Sequence, residues 1–119
     1  MKYANINVLS ASDATSQTSD KIDCNQILEA SFHIYFGDST AAGTIQIQAS
    51  NDINNNNYEP ANFTVTNWVN IPNASATVTA GGAQLITIDY VCYRWMRVVY
   101  TSSVPGTTTI NVNMFGISQ

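Results

Sequence analysis

YVCYRWMRVVYT, residues Tyr90 to Thr101, is a run of β-branched and aromatic residues unbroken by Gly or Pro. It reads as a central strand. Period two sets Tyr93, Trp95, Arg97 and Val99 on one face and Arg94, Met96, Val98 and Tyr100 on the other, so each face mixes apolar bulk with one guanidinium. Neither face suits open water. The expectation is a strand covered on one side and bordering an interface or a packed loop on the other, with each arginine laying its stem on apolar surface and pairing its head.

Outward from this stretch, Ile27 to Phe36 alternates most cleanly, with Leu28, Ala30, Phe32, Ile34 and Phe36 toward a core and Glu29, Ser31, His33 and Tyr35 opposite. A turn cluster over 37–43 leads to Thr44–Ser50, with Ile45, Ile47 and Ala49 inward, and the two strands read as a hairpin. Lys2 to Leu9 is an opening strand. Residues 10–20 and 51–62 read as irregular loops, the second holding four consecutive Asn and Pro60. Val65 to Ile71 reads as a strand bulged at Trp68 and Val69 and ended by Pro72-Asn73. Ala76–Thr79, a Gly81-Gly82 turn, Gln84–Ile88, a turn at Val104-Pro105-Gly106 and a last strand over Thr107–Ile117 complete the chain. About eight strands and no helix predict an all-β fold: one antiparallel β-sandwich, jelly-roll-like, spanning 1–119 as a single domain. Phe32, Ile34, Phe36, Ile45, Ile47, Val98 and Ile110 are its expected core.

The 119 residues are 45% hydrophobic but only 10% charged, against about 25% charged in an average soluble domain. Asn, Thr, Ser and Gln make up the difference, a surface suited to hydrogen-bonded packing against another protein or a sugar. A net charge of -4 with four cations, Lys2, Lys21, Arg94 and Arg97, argues against a nucleic-acid footprint. No apolar run approaches the roughly 18 residues of a membrane span, and Met1-Lys2-Tyr3 leads into a strand rather than a signal core, so the expected chain starts at Met1 and is made in a cytoplasm. Cys24 and Cys92 carry no metal or redox spacing, and a reducing cytoplasm favours two buried free thiols over a bridge. Asn62-Phe63-Thr64 and Asn73-Ala74-Ser75 fit the glycosylation triplet, which an Asn- and Thr-rich chain also produces by chance.

Catalytic groups do not assemble in the sequence. His33 is the single histidine and sits mid-strand, neither cysteine has a nucleophile's flanks, and the eight carboxylates are scattered. Asp52-Ile53-Asn54-Asn55-Asn56 opens like a calcium loop, but Asn57 and Phe63 stand where such a loop needs Gly and Glu. An Asn-rich turn held by side-chain to backbone bonds is the better reading. Gly81-Gly82 precedes no helix and is no phosphate cradle. No catalytic, cofactor-binding or metal-ligating residue is therefore expected, and no cofactor. Asn51-Asp52 can cap a turn through side-chain oxygens, and a buried Trp68 with a satisfied indole N–H would seal the sandwich end.

Gly43 to Asp52, Asn67 to Ile71, Gly81 to Asp89, Tyr93 to Thr101 and a closing Gly106 to Gly116 strand, taken in order, resemble a family of small all-β bacteriophage virion proteins. The resemblance covers about Ala30 to Gly116. It implies a non-enzymatic structural protein of the virion, made in the bacterial host cytoplasm: a head decoration or auxiliary protein on the outer capsid surface, or a fibre- or tail-associated component. The partners implied are the major capsid protein or another virion protein, with self-association into a homo-oligomer such as a trimer, and neither nucleic acid nor membrane. The Ser-Asn-Asp turn and the Tyr-Arg-x-x-Arg strand are also similar to the discoidin-type carbohydrate-binding sandwich, which implies the alternative of a host-glycan-binding module in a fibre or tail. Asn55 to Pro60 lengthens the loop beyond that pattern, and Tyr58 near it is an exposed aromatic candidate for a sugar.

Overall fold

In the computed structural model, which describes residues 2–11, 16–36, 42–53, 62–78, 82–104 and 110–118, the chain forms β1 (Lys2–Ala11), β2 (Gln17–Thr18), β3 (Ile22–Asp23), β4 (Ile27–Phe36), β5 (Ala42–Ser50), β6 (Val69–Val78), β7 (Ala83–Ile88), β8 (Trp95–Val104) and β9 (Ile110–Ser118). One sheet has the order β1-β9-β4-β7, and the other β2-β8-β5-β6 with β3 also on β8. All pairings are antiparallel. β2 and β3 act as one interrupted strand, so the first and last strands interleave as in a jelly roll of two Greek keys.

The core lies between the sheets because each central strand offers one apolar face. Phe32 and Ile34 of β4 pair in register with Met114 and Val112 of β9, while Ile45 and Ile47 of β5 pair with Tyr100 and Val98 of β8. All eight are buried. Burying each such side chain contributes about 1.5–3 kcal/mol, which explains why these strands hold the middle of the sheets. Of the expected core, Phe32, Ile34, Ile45, Ile47, Val98 and Ile110 are fully buried; the side chain of Phe36 lies outside the described residues.

Several expectations are corrected. β4 and β5 are not a hairpin: β4 pairs with β7 and β9, β5 with β6 and β8. Their two apolar faces look at each other across the sandwich, which side-by-side pairing would forbid. Leu28 is exposed because a register shift between Ile27 and Glu29 turns it out of the alternation. Pro72-Asn73 does not end a strand, since β6 runs through it, and residues 63–68 precede the strand rather than begin it. The proline is tolerated because β6 is an edge and bulges there: the register jumps from Gln46↔Ser75 to Gln48↔Asn70, and Asn73 takes a φ of 62°. The Gln46 amide fills the bulge, donating to the carbonyls of Ile47 (2.8 Å), Ile71 (3.2 Å) and Ala74 (3.2 Å). The central strand starts at Trp95, not Tyr90. Within 10–20, β1 continues to Ala11 and Gln17–Thr18 pairs with Tyr100 and Val99. The turns expected at 37–41, 79–81 and 105–109 lie outside the described residues, as does most of the 51–62 loop.

Candidate functional site

Three segments meet at one end of the sandwich: 51–53 after β5, 63–68 before β6 and 91–94 before β8. Backbone amides that no ladder satisfies must find acceptors there, and Asn51-Asp52 supplies them. Asn51 Oδ1 accepts the Arg94 amide at 2.8 Å. Asp52 Oδ2 accepts the amides of Thr66 (2.8 Å) and Asn67 (3.1 Å), and Oδ1 accepts Asn67 Nδ2 at 2.9 Å. Those donors hold the Asp52 carboxyl at a pKa of about 2, below the ordinary 3.8. The expected side-chain capping is present, though it fastens a distant segment rather than the turn that follows.

Trp95 does what was expected of Trp68. It is 1% exposed, its Nε1 donates to the Asp52 carbonyl at 3.3 Å, and the Phe63 ring lies 5.7 Å from its own. The Arg94 guanidinium sits 4.1 Å from the Trp95 centroid and pairs with Asp23. Trp68 is half-buried and carries the Arg97 guanidinium on its face at 4.4 Å, with Arg97 Nε donating to Gln48 Oε1 at 2.7 Å. Desolvation draws the Arg97 pKa down. The Trp95, Arg97 and Val99 face of the central strand thus carries a stacked, hydrogen-bonded arginine, as expected, whereas Arg94, expected on the Met96, Val98 and Tyr100 face, precedes β8 and leaves that face wholly apolar core.

Beside this clamp lies a cleft of about 380 Å³, floored by Ala49 and Ile71, rimmed by the amides of Asn51, Asn67 and Asn70, and flanked by Val69 and Tyr93. A second, about 710 Å³, opens between residues 24–28 and 91–94. Cys92 is exposed at its wall and Cys24 buried; the thiols are unpaired, and the expectation that both are buried fails for Cys92, which precedes β8 outside the ladder. Burial, with Asp23 adding, pushes the Cys24 thiol up to about 12.

The outer face of the β1-β9-β4-β7 sheet is the third surface. Registers place Asn7, Asn113, His33 and Leu85 in one row, Asn5, Phe115, Ser31 and Thr87 in the next, and Tyr3, Ile117 and Glu29 in a third. Asn7 donates to Asn113 Oδ1 at 2.8 Å, Tyr3 stacks on Phe115 at 5.6 Å, and His33 tilts on Tyr35 at 5.0 Å. Leu85 is 69% exposed. In these rows Glu29 is the single carboxylate, and the rest is amide, hydroxyl, imidazole and apolar surface. Sequence reading missed this face. Its signal was the Asn alternation at 5 and 7 and at 111 and 113, meaningful only once β1 and β9 are known to pair.

Asn54 to Asn57 and Tyr58 lie outside the described residues. Among the described residues no three of His, Cys, Asp and Glu converge as metal ligands. Asn62 and Asn73, of the two glycosylation triplets, are exposed.

No protein-family model matches the chain, and no curated protein matches it in sequence. Among solved structures the fold is similar to the crystal structure of the SPBc2 prophage-derived protein YomS, with a TM-score of 0.62 at 13% identity over 98% of this chain and 94% of that one. At that identity the likeness is one of fold.

Proposed function

We propose that this is a non-enzymatic bacteriophage structural protein, an auxiliary or decoration protein that self-associates and seats on another virion protein of the outer head surface. One observation carries the reading: the outer face of the β1-β9-β4-β7 sheet is broad, nearly uncharged, and studded with amides and exposed apolar side chains. Such a face binds by shape and many neutral hydrogen bonds rather than by ion pairs. The shared fold with a prophage-derived protein supports the phage setting.

The test is co-sedimentation of the purified chain with particles that lack it, at low salt and at about 0.5 M, where the Debye length falls to roughly 4 Å. Binding that survives the higher salt and is lost in Leu85→Lys supports the face. Binding that disappears with salt contradicts it. The cleft beside Asn51 and Tyr93 favours a second reading, a module for host glycan, because an amide rim over an apolar floor suits a polyhydroxylated ring. Saturable binding to a host polysaccharide, with no binding to particles, would decide for that reading.

A further inference from the structure

We infer that β1 is a self-pairing edge, to which a second copy of this chain adds its own β1 antiparallel, joining the two β1-β9-β4-β7 sheets into one continuous sheet. A two-sheet sandwich presents four edges, and unprotected edges template further pairing, so folded chains blunt them. Three of the four are blunted here. β6 carries Pro72 and a wide bulge with Asn73 at positive φ. β2 and β3 are two residues each, with Asp20 and Lys21 between them. β7 is six residues long and lies against β6, so these two edges shield each other.

Beyond Lys2 at its start, β1 has none of these devices over its first half. It is ten residues long, its register with β9 runs unbroken from Lys2 to Asn7, and residues 3–7 are all exposed. YANIN, Tyr3 to Asn7, contains no proline and no charge. Ile6 pairs with Met114, whose side chain is buried, yet Ile6 is itself 42% exposed because it points toward the core side from the outermost strand. Tyr3, 65% exposed, stacks on Phe115 at the same margin.

The occupant that fits is the same strand. An antiparallel pair with its dyad at Asn5 uses only the flat residues: Tyr3 faces the partner subunit's Asn7, Ala4 faces the partner's Ile6, and the two Asn5 amides meet on the axis. Each half-covered Ile6 then gains apolar cover. Neither β1 nor β9 contains a carboxylate, so two chains of net charge -4 meet along their least repulsive margin. The contact is isologous and closes as a pair, with no growing edge left at β1. Self-association belongs to the function proposed above, and the edge pairing rests on it, but not on which virion protein is the partner.

Sedimentation of the full chain from about 1 μM to about 1 mM should give a monomer–dimer equilibrium. Asn5→Lys, which sets two like charges side by side on the dyad, should weaken the dimer at least about tenfold while leaving the melting temperature unchanged at concentrations where both chains are monomeric, since its side chain is exposed. Amide hydrogen exchange on the unsubstituted chain guards against a misfolded variant: residues 3–7 should gain protection as concentration rises. A chain that stays monomeric throughout, or a dimer indifferent to Asn5→Lys whose 3–7 amides exchange freely, overturns the inference. A monomer that still co-sediments with particles sinks the edge pairing and leaves the proposed function standing. A β1-paired dimer that ignores particles does the reverse.

Discussion

The indole N–H of Trp95 donates to the main-chain carbonyl of Asp52, so the most buried tryptophan is tied to the residue whose carboxylate fastens the 63–68 segment. One residue thus secures the chain through its backbone and its side chain at once.

The Asp52 carboxyl titrates near 2 in the folded chain against an ordinary 3.8. A depressed carboxyl stabilises the fold fully above its unfolded pKa and loses that contribution as pH falls through the folded value. Acid titration should therefore lower the melting temperature between about pH 4 and pH 2. Asp52→Asn should melt lower at neutral pH and show a flatter acid limb; an unchanged limb would refute the clamp.

Gln46 holds three carbonyls across the β6 bulge. Gln46→Leu should cost about 1–3 kcal/mol, the penalty of stranding partly buried acceptors. Gln46→Glu should be worse at neutral pH, because a carboxylate would face carbonyl oxygens. Urea denaturation of both variants reads the order directly.

Ile47 is fully buried at the centre of β5. Ile47→Ala should lose about 2–5 kcal/mol, and Ile47→Asp should fail to fold because a lone buried carboxylate has no partner. A cooperatively melting Ile47→Asp protein would remove Ile47 from the core.

Native thiol titration should show Cys92 reacting at once and Cys24 only on unfolding, since Cys24 is buried and its thiolate strongly disfavoured. Two fast thiols in the folded chain would contradict the burial of Cys24.

Both Asp52 carboxylate oxygens already accept protein donors, so millimolar calcium or a chelator should leave the melting temperature unchanged. A rise of several degrees abolished by Asp52→Ala would restore the cation loop.

The strand faces were legible in the sequence because period two is a local property: Ile45, Ile47, Phe32 and Ile34 announce an inner face without reference to any neighbour. Pairing is not local. Alternation in β4 and β5 fits a hairpin as well as two strands facing each other across a core, and only the tertiary arrangement separates them. Pro72 misled for the same reason, as nothing near it in sequence says that β6 is an edge. Trp95 and Trp68 both carry strand-like flanks, and what buries Trp95 is Phe63 and Asp52, more than thirty residues upstream. The clamp was half visible: Asn51-Asp52 stood out as capping residues, while their donors at 66, 67 and 94 did not.

β9 lies between β1 and β4, pairing with both. During synthesis β1 therefore has no neighbour in this sheet until residues 110–118 follow it, and β4 can meet only β7 meanwhile. A nascent chain stalled before residue 110 therefore cannot complete this sheet, and leaves the apolar faces of β1 and β4 to whatever chaperone or protease reaches them. Closure of the sheet thus waits on β9, and truncation before Ile110 removes a partner from two strands at once.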